Sequence, residues 1–418
     1  MLRRSPLLRS TLGLSFARGL SGLLLVAATV VLARGAGKQE LGLFGLALVV
    51  GMYASVVADS GLSQYLLPAL ARRPREEWRD TWADVLRFQV RSAVPYALVF
   101  VGLVSLVTRG EMRWTLLAVL PWWVLIRLNG TMRSVFVAAD SVSAEATATV
   151  AESAVTLAVL AAAVAIHPSA PLAVLTLSVG ALVGLAIRFA GLRRLGVTGG
   201  RARTPVRALV HEALPFNAFT VLTNLYLRID VILLSILASQ RALALYQPPI
   251  RFAVALMIVP DALASLLLGR SASQPGDRGL HVRQEQLLAL GFPLGLVLVA
   301  AVALSGRPLL GALYGADFRH AATALTLMVA TVPVALLSTM NGNALTARGR
   351  QRTRLVCLGV AAIVAVACGI PAIERWSFTG AAAVSLLNEV TLATAYAVAI
   401  WLTVGRDGIL LPRFAQSR

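Results

Sequence analysis

Twelve long apolar segments follow one another along this 418-residue chain, and they constrain its fold more than any other feature. Each is long enough to cross a hydrocarbon core of ~30 Å as a helix. Because only helices and closed barrels satisfy their backbone hydrogen bonds in lipid, the pattern predicts an all-α integral membrane protein with twelve transmembrane helices. The predicted spans are 10–33, 41–69, 85–107, 115–139, 146–166, 171–190, 209–237, 243–269, 287–305, 321–345, 354–371 and 379–403.

The composition agrees with a membrane protein. The chain is 58% hydrophobic and 14% charged, with a mean hydropathy of +0.78, whereas soluble domains have about 25% charged residues. The segment 1–33 has arginines, an apolar run and a small-residue end, as in a signal peptide. Because Arg18 interrupts the run and further spans follow at once, we expect an uncleaved first helix.

The basic residues predict the topology. If the N-terminus is cytoplasmic, 23 of the 38 basic residues lie in cytoplasmic tails and loops, 8 lie outside and 7 lie within spans. This bias follows the positive-inside rule and predicts that both termini are cytoplasmic. The basic residues are spread over many loops, which favours anionic lipid headgroups of the bilayer as their partner and not nucleic acid.

The two halves of the chain resemble each other at an offset of 202 residues. This offset aligns Asp59 with Asp261, and Phe44 with Tyr246. Duplicated halves are typical of secondary transporters. We therefore predict two six-helix lobes, 1–190 and 209–403, joined by a cytoplasmic linker at 191–208 and followed by a cytoplasmic tail at 404–418. Because six spans are even in number, both lobes insert the same way up, and their pseudo-twofold axis runs along the membrane normal.

Motifs for enzymatic chemistry are missing from the sequence. It contains no GxxxxGK[ST] phosphate loop and no GxSxG nucleophile elbow. None of the four histidines pairs with a carboxylate at metal-ligand spacing. The longest predicted outside connection, 306–320, is too short for a catalytic domain. We therefore expect no enzyme activity, no cofactor and no metal, and any transport must be driven by a gradient or by the membrane potential.

Seven arginines lie within the predicted spans, besides Arg87 and Arg354 at span ends, which are counted with the cytoplasmic loops. Arg91 and Arg188 lie near cytoplasmic ends, where their side chains are expected to snorkel to the interface. The other five are candidate substrate-binding residues of a cationic cavity: Arg18, Arg127, Arg133, Arg228 and Arg251. A charge at the centre of a membrane helix costs ~2.5–3.5 kcal/mol, so each should face a partner or a wet cavity. An ion pair that locks helices together, for example Arg228 or Arg251 with Asp230, is the structural alternative.

Five acidic residues also lie deep in the apolar segments. They are candidates for ion coupling or gating: Asp59, Glu152, Asp230, Asp261 and Glu389. Carboxylates in low dielectric can bind a proton or a cation near neutral pH. Arg228 and Asp230 are two residues apart, so on a helix they point about 200° apart and do not face each other. The excess of arginine over deep acids predicts an anionic cargo, because guanidinium groups suit phosphate and carboxylate.

Several stretches of the chain resemble the polysaccharide-biosynthesis flippases of the multidrug/oligosaccharidyl-lipid/polysaccharide exporter superfamily. The resemblance covers nearly the whole chain, and the order and spacing of its pieces carry it. These pieces are Leu41-Gly42-Leu43-Phe44-Gly45, Ala58-Asp59-Ser60-Gly61-Leu62, Leu214-Pro215-Phe216, Leu225-Tyr226-Leu227-Arg228-Ile229-Asp230, Leu313-Tyr314-Gly315-Ala316-Asp317-Phe318 and Thr379-Gly380-Ala381-Ala382.

The resemblance implies a V-shaped twelve-helix fold that moves lipid-linked sugars outward across the bacterial cytoplasmic membrane by alternating access. The implied cargo is a polyprenyl-diphosphate-linked oligosaccharide for a surface glycan of the O-antigen or exopolysaccharide type. A polysaccharide polymerase and glycosyltransferases are the implied protein partners. The anionic diphosphate of such a cargo matches the arginine-rich spans, and we expect Arg18, Arg228 and Arg251 to point into one central cavity.

Three alternatives remain at the level of the sequence. A multidrug or small-metabolite exporter of the same superfamily would favour acidic cavity residues and a cationic cargo. A flippase for a lipid-linked peptidoglycan precursor is the second alternative. A non-transporting scaffold of a glycan assembly complex is the third, and it should tolerate loss of the deep arginines.

Overall fold

The structure is a computed structural model that describes residues 6–257, 260, 278–405 and 409–411. Within these ranges every regular element is a helix. The α-helices are α1 Pro6–Gly35, α2 Lys38–Asp59, α3 Leu62–Ala71, α4 Trp78–Val107, α5 Gly110–Ala118, α6 Leu120–Ala138, α7 Val142–Ile166, α8 Ala170–Arg194, α9 Val206–Leu237, α10 Gln240–Leu256, α11 Arg278–Tyr314, α12 Ala322–Ala347 and α13 Gln351–Val404. Two short 3-10 helices cover Arg75–Glu77 and Ala316–Ala321.

These helices account for the twelve predicted spans. Ten stretches of the described chain are long and apolar enough to cross a membrane, and one of them combines α5 with α6. The last stretch, Gln351–Thr403, is long enough for two crossings. Helix α10 covers the first part of the predicted span 243–269 that the ten leave out, and most of the rest of that span lies outside the described residues. The all-α membrane fold with twelve helices is therefore confirmed.

The second predicted span is not one continuous helix. Ser60 and Gly61 take left-handed backbone angles, with φ of 52° and 79°, and separate α2 from α3. A Cβ atom on Gly61 would lie 2.4 Å from the backbone nitrogen of Asn217 and 2.5 Å from the carbonyl oxygen of Ala213. Glycine at this position thus allows both the turn and the close approach of α9.

The expected connection at 306–320 is also different in the structure. Gly306 lies inside α11, which continues to Tyr314, and a 3-10 helix follows after Gly315. In the predicted turn between the last two spans, Ser377 has φ of 53° and ψ of −131° and breaks α13 into two helical parts. These turns are tighter than predicted because the helices extend beyond the apolar runs that mark them in the sequence.

The chain divides into two compact units within α9, between Asn224 and Leu225. We call Phe16–Asn224 the N-terminal unit; Leu225–Arg418 together with Met1–Ser15 forms the C-terminal unit. The predicted lobe limits at 190 and 209 stay a prediction. In the N-terminal unit a cluster of large buried side chains holds one end of the helices together: Trp78, Trp82, Phe88, Phe136, Leu192 and Leu209.

The segment between α8 and α9, predicted as a linker, is held on the first turns of α4. The Asp84 carboxylate accepts hydrogen bonds from the backbone nitrogens of Arg203 and Thr204 at 2.6 and 2.9 Å. Asp80 accepts from the backbone nitrogen of Arg201 at 2.8 Å. Gly200 packs so tightly on the backbone of α4 that a Cβ atom would lie 2.0 Å from the carbonyl oxygen of Arg79. Part of the predicted linker is therefore bonded to the N-terminal unit.

In the C-terminal unit α12 packs against α10, α11 and α13. A small buried cluster joins Leu288, Leu336 and Met340 to Leu410. The Asn341 side chain exchanges hydrogen bonds of 3.0 and 3.1 Å with the backbone nitrogen and oxygen of Leu410. The segment after α13 is thereby held against α12.

Large apolar side chains cover the outer faces of α4 and α11. Val94, Leu98 and Leu106 on α4 are 65%, 68% and 84% exposed, and Leu294 and Leu304 on α11 are 64% and 86% exposed. Soluble monomers do not expose apolar faces of this extent. We therefore assign these faces to contact with lipid chains.

Candidate functional site

A buried ion-pair network joins α6, α7 and α8 in the N-terminal unit. Arg188 is completely buried, and its Nε and Nη2 donate to the two carboxylate oxygens of Glu145 at 2.8 and 2.9 Å. Its Nη1 donates to Glu152 at 2.8 Å and to Asn129 at 2.9 Å. Arg133, whose side chain is 41% exposed, donates to Glu145 at 2.7 Å. Two guanidinium groups thus neutralise two carboxylates.

This network changes the interpretation of three residues. The expectation that Arg188 snorkels to the interface is wrong, because the side chain lies between two glutamates and has no exposed surface. Arg133 and Glu152, predicted as substrate-binding and coupling residues, are members of the same network. Glu145 is absent from the predicted acidic residues because the predicted span begins at 146. Helix α7 begins at Val142 and therefore includes Glu145.

A second buried network connects Asp59 to Arg127 through Gln89. The Asp59 carboxylate accepts hydrogen bonds from Ser63 Oγ at 2.8 Å and from Gln89 Nε2 at 2.9 Å. The Gln89 side-chain oxygen accepts from Arg127 Nε at 3.2 Å. Arg127 also donates to the backbone oxygen of Gln89, and to Ser92 Oγ at 3.0 Å.

The amide of Gln89 suits both ends of this chain of bonds, since its nitrogen meets an acceptor and its oxygen meets a donor. Arg127 is only 2% exposed, and its Nη1 has no hydrogen-bond partner among the described residues. The backbone nitrogen of Ser63 also donates to Asp59, at 3.0 Å, so Asp59 caps the first turn of α3 as well. Asp59 therefore has a structural role at the break between α2 and α3.

The C-terminal unit contains a polar seam between α9 and the second part of α13. Tyr226 donates its hydroxyl to Glu389 at 2.7 Å. One turn after Tyr226 along α9, Asp230 accepts a hydrogen bond from Ser385 at 2.6 Å. Tyr246 of α10 also donates its hydroxyl to Asp230. The two carboxylates thus lie at successive positions along one helix contact, each bonded to hydroxyl groups.

Asp230 is 3% exposed, and its Oδ1 has no hydrogen-bond partner among the described residues. Within that part of the chain no ion pair joins it to a basic side chain. The expectation that Arg228 and Asp230 do not face each other agrees with this geometry, because Asp230 is bonded to Tyr246 and Ser385 instead. A buried carboxylate of this kind is typical of a proton- or cation-binding site.

Arg228 and Arg251 form a cationic pair in the same unit. Arg228 lies close enough to Arg251 for its charge to act on that guanidinium. Arg251 Nη2 is 3.4 Å from Gln247 Oε1, and its buried Nε has no hydrogen-bond partner among the described residues. No carboxylate of the described chain forms an ion pair with either arginine. Two like charges that lie near each other favour binding of an anion.

Arg18 and Asp261 are the two remaining predicted residues. Arg18 is exposed on α1 and belongs to the N-terminal unit. Asp261 lies outside the described residues, so its predicted equivalence to Asp59 stays a prediction. Among the described residues, no group of three or more histidine, cysteine, aspartate or glutamate side chains has the arrangement of a metal site.

Solved structures with this fold include a lipid II flippase and multidrug resistance transporters. A lipid II flippase in an inward closed conformation is 11% identical, with a TM-score of 0.79 over 93% of this chain and 87% of that chain. An inward-facing multidrug resistance transporter of the MATE family is 15% identical, with a TM-score of 0.74 over 93% of this chain and 95% of that chain. A MATE transporter of Vibrio cholerae is 13% identical, with a TM-score of 0.65 over 96% of this chain and 98% of that chain.

These identities are low, so the likeness shows the fold alone. Among proteins of curated function, none matches the sequence of this chain. The sequence profile described as polysaccharide biosynthesis protein matches residues 7–266, which is more than half of the chain. The chain belongs to the polysaccharide biosynthesis protein family.

Proposed function

We propose that this protein is a flippase. It translocates a polyprenyl-diphosphate-linked oligosaccharide from the cytoplasmic to the outer leaflet by alternating access, for the synthesis of a cell-surface polysaccharide. Membership of the polysaccharide biosynthesis protein family supports this proposal. The fold, which a lipid II flippase shares, is compatible with a lipid-linked cargo.

The cationic pair of Arg228 and Arg251 carries the proposal. The charge of Arg228 acts on the Arg251 guanidinium, and no ion pair to a described carboxylate neutralises either group. A diphosphate supplies two adjacent anionic groups with the oxygen geometry that guanidinium forks bind in a bidentate manner. Arg18, on the N-terminal unit, remains a predicted further contact for the same cargo.

The remaining parts of the proposal concern the membrane and topology of the protein, its partners and the source of energy for transport. We place the protein in the bacterial cytoplasmic membrane with both termini inside, as the distribution of basic residues favours. A polysaccharide polymerase and glycosyltransferases are its proposed partners. The chain catalyses no bond change in this proposal. Asp230 and Glu389, buried in the polar seam, are the proposed residues for coupling to an ion gradient.

Export of glycan by arginine variants tests the proposal. We expect Arg228→Ala to abolish surface glycan at an unchanged level of membrane protein. Arg228→Lys should keep part of the export, because the positive charge remains while the bidentate hydrogen bonds of the guanidinium group are lost. Arg251→Ala should act in the same direction, and Arg18→Ala more weakly. Arg241→Ala removes an exposed arginine of the same unit and serves as the control.

The measurement is surface glycan, with membrane protein quantified in parallel. Full export by the Arg18→Ala, Arg228→Ala, Arg251→Ala triple variant at normal abundance would contradict the proposal and favour a scaffold. Two alternatives share the fold: a peptidoglycan lipid-precursor flippase and a multidrug or small-metabolite exporter. Efflux of a cationic dye that Asp230→Asn abolishes and Arg228→Ala spares would favour the exporter.

A further inference from the structure

A cleft of about 400 Å³ opens between α3 and the first turns of α9 in the N-terminal unit. We call it the basic cleft, because Arg72 and Arg73 are among the residues that line it. Both arginines follow directly after α3, where the apolar sequence gives way to the charged segment Arg75–Glu77. The basic cleft therefore lies at the level where a membrane helix meets water.

The basic cleft also has an apolar part. Pro68, Ala69 and Phe216 line it, and Phe216 is 37% exposed. Tyr65 packs edge-on against Phe216, with ring centroids 6.2 Å apart and an interplanar angle of 70°. The Tyr65 hydroxyl donates to Glu212, which also lines the cleft, at 2.6 Å, and this bond ties α3 to α9. An accessible apolar surface beside two basic groups suits an amphipathic ligand.

The basic side of the cleft is partly preorganised. Arg73 Nη1 donates to Thr81 Oγ1 at 2.7 Å, and Thr81 is itself buried and donates to the backbone oxygen of Glu77. This bond orients the Arg73 guanidinium while leaving other N–H groups for a ligand. Arg72 is exposed. Among the described residues no ion pair joins Arg72 or Arg73 to a carboxylate, including Glu212.

We propose that the basic cleft binds an anionic membrane phospholipid, with its headgroup phosphate at Arg72 and Arg73 and the start of an acyl chain against Phe216 and Pro68. Guanidinium groups bind phosphate oxygens with charge-assisted hydrogen bonds. Basic residues at the membrane surface attract anionic lipid. The apolar side favours a lipid over a soluble phosphate. Neither Arg228 nor Arg251 lines this cleft, so the proposal does not depend on the identity of the transported cargo.

Thermal unfolding of the purified full-length protein in detergent tests the proposal. Short-chain phosphatidylglycerol should raise the unfolding midpoint in a saturable manner, whereas the matching phosphatidylcholine should not. The Arg72→Gln/Arg73→Gln variant should bind phosphatidylglycerol about tenfold more weakly, as expected for the loss of charge-assisted hydrogen bonds. The control variant Arg201→Gln/Arg207→Gln removes two exposed arginines from the segment before and at the start of α9, and its affinity should be unchanged.

A second variant separates the cleft from general surface charge. Ala69→Trp keeps both arginines but fills the space beside them, so it should also weaken binding of phosphatidylglycerol. If the double arginine variant changes the unfolding midpoint in the absence of added lipid, the single variant Arg72→Gln, at an exposed residue, is used in its place. Equal weakening by the control pair, undiminished binding by Ala69→Trp, or equal stabilisation of the protein by inorganic phosphate would each overturn the proposal.

Discussion

Tyr226 donates its hydroxyl to the Glu389 carboxylate at 2.7 Å and so joins α9 to the second part of α13. Asn388 donates its side-chain nitrogen to the backbone oxygen of Tyr226 at 2.9 Å. One turn further along, Ser385 donates to Asp230. In these bonds both buried carboxylates accept from neutral donors. These bonds leave both groups as candidates to exchange a proton or a cation during transport.

For Asp230 we expect a change in coupling with little change in folding. Asp230→Asn keeps an oxygen that accepts from Ser385 and Tyr246, so the protein should reach the membrane at normal abundance. If Asp230 binds the coupling ion, export should lose its dependence on the ion gradient. The measurement is glycan or substrate transport in vesicles with and without an imposed gradient.

Glu374→Gln is the matched control for Asp230→Asn, because it neutralises an exposed carboxylate in the same unit. Transport by Asp230→Asn that responds to the gradient as the unchanged protein does would exclude Asp230 from coupling.

For Arg188 we expect a large loss of stability. Arg188→Ala leaves the buried Glu145 with Arg133 as its only basic partner and the half-buried Glu152 without one, and breaking a buried ion pair costs about 3–5 kcal/mol. Arg188→Lys should also destabilise the protein, because a single ammonium group cannot replace the bidentate bonds to Glu145. Thermal unfolding in detergent and membrane abundance are the measurements.

Arg194→Ala removes an exposed arginine of the same helix and should change stability by less than about 0.5 kcal/mol. A small effect of Arg188→Ala, similar to that of the control, would show that the network contributes little to holding α6, α7 and α8 together.

For Gln89 we expect a moderate loss of stability. Gln89→Leu removes the donor to Asp59 and the acceptor for Arg127 Nε, and leaving buried polar groups without partners costs about 1–3 kcal/mol each. The free energy of unfolding is the measured quantity. Gln64→Leu, at an exposed position on α3, provides the same chemical change as a control. Equal stability of the two variants would argue against the bridge.

The predicted topology has a direct test by cysteine labelling. In a background without Cys357 and Cys368, His167→Cys and Ala316→Cys should react with an impermeant maleimide added to intact cells. Arg201→Cys should react only after the membrane is permeabilised. All three positions are exposed in the structure, so accessibility within the protein does not limit the reaction. Labelling of Arg201→Cys in intact cells would contradict the predicted topology, because it would place this segment outside.

The sequence by itself determined the number and order of the membrane helices, because hydropathy and helix length are local properties of the chain. The family could also be recognised from short motifs such as Leu225-Tyr226-Leu227-Arg228-Ile229-Asp230, which the profile match to residues 7–266 supports. Helix ends were less accurate, as Gly306 and Glu145 show, because helices continue past the apolar runs into polar sequence.

Only the tertiary structure decided which charges are partnered. Arg188 and Arg127 look alike in sequence, yet one binds two glutamates and the other reaches Asp59 through Gln89. Arg228 and Arg251, by contrast, lie near each other. The physical reason is that the energy of a buried charge depends on the groups within a few ångströms of it. Those groups come from helices that are distant in sequence and become neighbours only when the helices pack.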